Sequence, residues 1–379
     1  MKIIRKTLWR GRTGNEKTYF HPRVTAFADN KGPRLLMTLQ EISGSDYYHH
    51  VQQSYSTDGG ESWSEPENIP DMGRKNIGNG IEEGVCDVVP DYHEKTGKVF
   101  AIGHNVYYKG GKLYDTLGDF RPEEKSGTLQ RAGTYCVREK DGSWSSRKKI
   151  EMDEFKKSPS FVCGCSQKVI LPDGKMIIPF SIGYQGRKDR LVTSVLCDFD
   201  GSEIKPRKRG ILLENPAGRG MLEPSIILYG KMFFLTLRAE DNHGYVSVSG
   251  DGLSWEPIKP WTWENGEALT MSTTQQHWLA HGGKLYLVYT RKTDKNCNVM
   301  RWRSPLFMAE ADPVKLCLIR ESEKEVFSLI GDGVNDPENV PLMGNFQSVS
   351  ISATESIITD GDVLPRKGFT GDTLLAKIV

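Results

Sequence analysis

The sequence predicts an all-β chain, folded as a six-bladed β-propeller of four-stranded antiparallel blades in one domain over residues 1–379. Three observations carry that expectation. Short apolar runs rich in β-branched and aromatic residues recur along the chain, bounded by Gly, Asp and Pro. No long segment of helical period competes with them. One turn motif recurs at widely separated positions.

The runs come in chain order. PRLLMTLQEI (33–42), KVFAIGHNVYY (98–108), GTYCVRE (133–139), RLVTSVLCDFDG (190–201) and GYVSVSGDG (244–252) each read as strand. LPDGKMIIP (171–179), LYGKMFFL (228–235) and HGGKLYLVY (281–289) share one plan, in which an apolar run meets a tight turn and a second apolar run. That plan is a hairpin, and hairpins without helices leave a sandwich, a barrel or a propeller.

The recurring turn decides between them. SYSTDGGESWSEP (54–66) places Asp58 where its carboxylate can accept from backbone amides, and Gly59 and Gly60 where φ > 0 carries no steric cost. Trp63 is expected to fold back and anchor the hairpin. SVSGDGLSWEP (247–257) repeats the pattern one residue shorter, with Ser249, Asp251, Gly252, Ser254 and Trp255. EKDGSWSS (139–146) is a degenerate copy. Repeated units of this kind argue for a propeller. Ser56 and Ser249 lie 193 positions apart. Three intervening blades would make each about 64 residues and the ring about six-bladed, and a seven-bladed ring at about 54 residues per blade stays open.

Bulk composition narrows the function. Charge is balanced, with 50 basic and 49 acidic residues and a net charge of +1. No basic run points to nucleic acid, and no basic amphipathic stretch points to a membrane surface. MKIIRKTLWRGRTG has no apolar segment of a secretory signal. The seven cysteines are odd in number and sit mostly in strand-like runs, so they read as buried free thiols. The expected location is therefore cytoplasmic, although a chain already trimmed of a signal would look the same. CGC (163–165) lacks the His and Cys spacing of a zinc site, so no metal and no cofactor are expected. The oligomeric state is open.

In a propeller the innermost strands line a central funnel, so chemistry is sought in polar residues on otherwise apolar strands. Arg23 opens an apolar run, Arg238 ends one, and Arg301 and Arg303 lie two apart in NVMRWRSP, where a strand would point both the same way. Arginine is seldom buried unpaired. Converging guanidiniums suit bidentate binding of a carboxylate. Further candidates are His104 in FAIGHNVYY beside Asn105, Tyr107 and Tyr108; His277 with Gln275 and Gln276; and Glu82, Glu83 and Asp87 in GIEEGVCDVV. Histidine beside tyrosine suits proton transfer. His49 and His50 adjoin on a strand, so only one can face a funnel.

The repeated turns are Asp-boxes, and through them the sequence resembles the sialidase superfamily of BNR-repeat propellers. The resemblance implies that Asp58 and Asp251 are structural. It implies that Arg23 in HPRV, Arg238 and either Arg301 or Arg303 hold a substrate carboxylate. It places Asp46 in SGSDYY as the acid/base residue and Glu223 in MLEPSIILYGK as the central glutamate. The family attacks with a C-terminal tyrosine activated by the glutamate. Here GNFQSVSIS puts Phe346 at about that place, and the last tyrosine is Tyr289. Another tyrosine such as Tyr229 or Tyr245 must then enter, or the chemistry differs.

The leading expectation is an exo-acting glycoside hydrolase taking a terminal acidic sugar from a glycan. Arg23, Arg238, Arg301, Arg303, His277, Gln276 and Glu83 would bind substrate, and Asp46, Glu223 and His104 would be catalytic. One alternative is a propeller-type lyase of uronate-containing glycans using His104, Tyr108 and Arg238. Another is a carbohydrate-binding propeller without catalysis, its arginines paired with carboxylates such as Glu240.

Overall fold

The computed structural model describes residues 1–14, 16–29, 32–114 and 129–379. It is an all-β propeller in which antiparallel sheets are arranged around a central cavity. No helix among the described residues is long and apolar enough to cross a membrane.

The first sheet runs Tyr19–Asp29, Gly32–Ile42, Tyr48–Ser56 and Glu67–Asn68. Later four-stranded sheets are Leu222–Tyr229, Met232–Arg238, Gly244–Ser249 and Lys259–Pro260, and then Gln347–Ser350, Ser356–Gly361, Asp372–Ile378 and Ile3–Arg10. A sheet built on His277–His281, Lys284–Tyr289 and Leu306–Asp312 lies between these two in sequence. The chain-leading strand Ile3–Arg10 pairs antiparallel with Asp372–Ile378, so the two ends of the chain share one sheet.

Six separate four-stranded sheets are not what forms. The described residues give five sheets, one of them eleven-stranded. Its two antiparallel halves contain Ile81–His93, Lys98–Lys109 and Arg131–Arg138 on one side and Met176–Gly183, Arg190–Phe199 and Ile204–Arg209 on the other. They are joined by a short parallel pairing of Arg131 and Ala132 with Ser160 and Phe161. The join arises because the short strand Ser160–Val162 enters beside the start of Arg131–Arg138 and bonds both neighbours.

The apolar core is distributed between neighbouring sheets. Phe100, Tyr135, Phe161, Phe180 and Phe199 pack together between the two halves of the eleven-stranded sheet, with Phe161 and Phe180 stacked at 3.9 Å between centroids. Trp261, Trp263, Trp278, Leu287 and Phe307 form another cluster. Inner strands such as Lys98–Lys109, Met176–Gly183 and Met232–Arg238 are buried on both faces, which is why these runs read as nearly continuous apolar segments.

The repeated turns close on their own side chains. Ser56 Oγ donates to Asp58 Oδ1 (2.8 Å), which also accepts from Ser62 N (2.9 Å). Asp251 Oδ1 accepts from Ser249 Oγ (3.0 Å), Leu253 N (2.8 Å) and Ser254 N (2.6 Å). Trp255 is 6% exposed, and its Nε1 donates to Ser194 Oγ (2.9 Å) in the adjacent sheet. In the third copy Asp141 holds Ser143, and Trp144 Nε1 reaches Gln53 Oε1 at 2.8 Å. Six cysteines are buried and Cys297 is half-buried, all as free thiols.

Candidate active site

A cavity of about 590 Å³ opens at the funnel. Its charged lining comprises Asp46, Asp87 and Glu223 against Arg131, Arg190, Arg219, Arg238, Arg301 and Arg303, with His21 and His104 among them.

Backbone irregularity aims these groups. Successive side chains of a regular strand alternate faces. The innermost strands break that alternation where they reach the cavity, with register shifts between Phe20 and Arg23, Cys86 and Val89, and Leu222 and Ser225. His21, Asp87 and Glu223 sit in these bulges at φ of 53°, 56° and 47°. Asp46, Cys165, Arg301 and Phe369 also have positive φ, so among the described residues seven of the twelve positive-φ non-glycine residues line the cavity. Such conformations cost of order 1–3 kcal/mol each and persist where surrounding structure holds them.

The centre of the site is an ion-pair cluster. Arg238, 5% exposed, donates from Nη1 to Glu223 Oε1 at 2.5 Å and from Nε to Thr273 Oγ1 at 3.2 Å. Burial disfavours its charge, but Glu223 outweighs burial and raises its pKa above the usual arginine value. Arg303 is pushed down to about 10, by burial first and then by the charges of Arg238 and Arg301. Its Nε is buried without a hydrogen-bond partner. Arg301 is lowered by burial, Arg238 and Arg219. Arg219 pairs with Glu240, Nε to Oε1 at 2.6 Å.

Asp46 is exposed at the cavity and its loop is tied down from below. Tyr48 Oη donates to its Oδ1 at 3.1 Å, and Tyr108 Oη donates to its carbonyl at 2.9 Å. Asp87 Oδ1 accepts from Arg23 Nη2 at 3.2 Å and lies 3.4 Å from His21 Nε2. Burial opposes its ionisation, yet His21, His104, Arg23 and Arg131 together hold it down at about 2. His104 is pushed down to about 3, by burial first and then by Arg131.

Several expected site residues stand elsewhere. Arg23 is fully buried and does not line the cavity. It serves as a brace, donating to Phe346 O (2.9 Å) and Gln275 Oε1 (3.3 Å) as well as Asp87. The bulge at His21 puts the histidine in the lining and the arginine beneath it. His277 is fully buried between Ser225 Oγ (2.9 Å) and Gln275 Oε1 (3.1 Å). Gln276 accepts from Thr236 Oγ1 on the opposite side of its strand. Glu83 is bound by Lys149 Nζ (2.7 Å), Arg147 Nη2 (3.0 Å) and Asn105 Nδ2 (2.7 Å), away from the cavity. Arg301 and Arg303 both line the cavity, but not by strand alternation. Met300–Trp302 is a 3₁₀ turn in which Arg301 and Trp302 have positive φ.

The replacement tyrosines are also accounted for. Tyr229 Oη donates to Gly283 O, and Tyr245 Oη to Asp241 Oδ2. Neither lines the cavity, and Tyr48 is the one tyrosine among the described residues that does. Phe346 is fully buried. His49 bonds Ser43 and His50 bonds Ile69 O, both outside the lining. Tyr108 is spent on the Asp46 loop.

Sequence reasoning passed over His21, Arg131, Arg190, Arg219 and Asn345, and gave Asp87 no role. Arg131 and Arg190 each open an apolar strand run, the same signal that singled out Arg23. Cys163 and Cys165 of CGC split, with Cys163 in the core and Cys165 on the cavity. Among the described residues, the group able to hold a metal is instead Cys86, Asp87 and His104, whose ligand atoms lie within 4.8 Å of one another.

The fold is that of sialidases. A Hadza microbial sialidase, Hz136, superposes with a TM-score of 0.65 at 13% identity, over 99% of this chain and 68% of that one. Trypanosoma rangeli sialidase, also solved with sialic acid bound, gives 0.66 at 13% identity, over all of this chain and 60% of its own length. A Dyadobacter fermentans protein of unknown function gives 0.63 at 12% identity, over 99% of this chain and 98% of that one. The chain thus spans about three-fifths of the length of the trypanosomal enzyme. No protein-family model matches the chain, and no curated protein is similar to it in sequence.

Proposed function

We propose that the protein is an exo-acting glycoside hydrolase of the sialidase superfamily that removes a terminal acidic sugar from a glycan. The observation that carries this is the triad Arg238, Arg301 and Arg303, which faces one cavity carboxylate, Glu223. Burial first, and then the charges of Arg238 and Arg301, disfavour the charge on Arg303, so the site gains from an incoming carboxylate. Such pairs are charge-assisted and directional.

Two carboxyl groups then serve the bond to be broken. Asp46, exposed and oriented by Tyr48, donates the proton to the leaving oxygen. Glu223 acts as base toward water once the substrate carboxylate takes over its place on Arg238. The same reading takes the eleven-stranded sheet as two blades, which gives six around the cavity, and the Ser-x-Asp turns as Asp-boxes. Tyr108 lies outside the cavity and bonds the Asp46 carbonyl, which weakens the lyase alternative as far as it rests on that tyrosine.

The test is a panel of aryl glycosides and acidic oligosaccharides, including α-sialosides, rhamnosides and glucuronides, followed by sugar release and by ultraviolet absorbance of unsaturated uronate. Sugar release that falls by about 10²–10⁴ in Glu223→Gln, with an unchanged fold, is the expected result. Absorbance without release would make the protein a lyase, and binding without turnover would make it a lectin-like propeller.

A further inference from the structure

We propose that Cys86, Asp87 and His104 form a zinc site opening onto the cavity. This inference stands apart from the glycosidase reading, because no step of that reading uses these ligands.

Cys86 and Asp87 are sequence neighbours in the strand Ile81–His93, and a regular strand would send them to opposite faces. The bulge between Cys86 and Val89, with Asp87 at φ 56°, turns both toward the cavity. His104 comes from the paired strand Lys98–Lys109, directly across from Cys86 in the register. Its Nε2 lies 3.4 Å from Cys86 Sγ. Zinc holds sulfur at about 2.3 Å and imidazole nitrogen at about 2.0–2.1 Å in a tetrahedron, which sets the S···N edge at about 3.5 Å. The protein therefore presents this edge nearly at its final length.

The surroundings are shaped for the same group of atoms. Residue 164 must be glycine, because a Cβ there would lie 2.0 Å from His104 Nδ1 and 2.9 Å from Asp87 Cβ. Cys165, at φ 56°, donates its amide to Asp87 O at 2.9 Å and pins the bulge. Asp87 Oδ1 is held by Arg23 and His21, which orients the carboxylate as outer-shell partners do and leaves its other oxygen for an ion. His104 is 8% exposed, and its Nδ1 makes no hydrogen bond. Thiolate, carboxylate and neutral imidazole together supply two negative charges for a divalent ion, with Arg23 bonded to Asp87 and Arg131 and Arg190 as the cations beside them. Thiolate with imidazole selects zinc over magnesium or calcium. Three protein ligands with the fourth position toward a cavity is the arrangement of a reactive zinc, not of a closed structural one. On binding, the Cys86 thiol proton passes to solvent.

The experiment is direct metal loading. The full chain is equilibrated with zinc, freed of excess ion and assayed for metal. One zinc per chain is expected. Affinity should fall at least about tenfold in Cys86→Ser and His104→Gln, a lower bound taken from the loss of outer-shell partners. Cys297→Ser should keep its zinc. Loading with Co²⁺ should give a thiolate-to-cobalt charge-transfer band that Cys86→Ser lacks. X-ray absorption on the zinc-loaded wild type requires no variant to fold, and should show a sulfur at about 2.3 Å beside lighter ligands. A wild type that retains no stoichiometric zinc, an absorption spectrum without sulfur, or a cobalt band that survives in Cys86→Ser would each overturn the site.

Discussion

Arg303 shows how much a single residue here depends on its neighbours. Its Nε is buried without a partner, and two other guanidiniums press on it. A substrate carboxylate relieves both conditions. Arg303→Gln should therefore raise KM for an acidic aryl glycoside by about 10–100-fold, the equivalent of one charged hydrogen bond, with a smaller change in kcat. Steady-state kinetics checks this, and an unchanged KM would remove Arg303 from substrate binding. Asp360 is a second residue with a sharp expectation. It is fully buried, and its carboxylate accepts from Gly344 N (3.1 Å) and Asn345 N (3.3 Å), beside the cavity wall. Burial, opposed by the Gly344 amide and helped by Asp362, pushes its pKa up to about 7 from 3.8. A raised carboxyl favours the neutral form in the folded state. Its stabilising contribution is full below pH about 4 and lost as pH rises through about 7. The melting temperature of wild type should thus fall relative to Asp360→Asn between pH 5 and pH 8. Parallel melting curves across that range would show that Asp360 does not titrate there.

At the scale of elements, the two Ser-x-Asp turns look alike in sequence but are not equally loaded. Trp255 is buried and bonded to the neighbouring sheet, where it packs with Leu213, Leu235 and Leu253. Trp63 is half-buried, and its Nε1 makes no hydrogen bond. Trp255→Ala should cost about 3–5 kcal/mol in denaturant unfolding, and Trp63→Ala clearly less. Equal costs would mean that the turns, and not their inter-sheet contacts, set the stability. The turns were legible because Asp, Gly and Ser impose local geometry. The bulges at His21, Asp87 and Glu223 were not. No residue type marks them, and a one-residue shift exchanges which side chain meets the cavity. That is why Arg23 was read as lining when His21 is.

For the whole molecule, the pairing of Ile3–Arg10 with Asp372–Ile378 is the closing element. Arg5 also reaches across to the carbonyls of Val326 and Glu325 in the next sheet, each at 2.7 Å. Removal of residues 1–10 would leave the edge of Asp372–Ile378 unpaired, and such edges associate. The shortened chain should melt well below the full one and aggregate, and a synthetic peptide of residues 1–10 should restore part of the loss. A shortened chain that melts at the original temperature would show that closure contributes little.

The sequence by itself determined the all-β architecture, the hairpin units and the recurring turns. All of these follow from interactions within a few residues or across one hairpin, where local chemistry suffices. The tertiary structure alone decided how the sheets join, which arginines share the cavity, that Phe346 is buried, and that Cys86, Asp87 and His104 meet. Those outcomes depend on strand bulges and on residues from different sheets converging at one axis. Side-chain direction there is set by the packing of the whole ring, which no local stretch of sequence records.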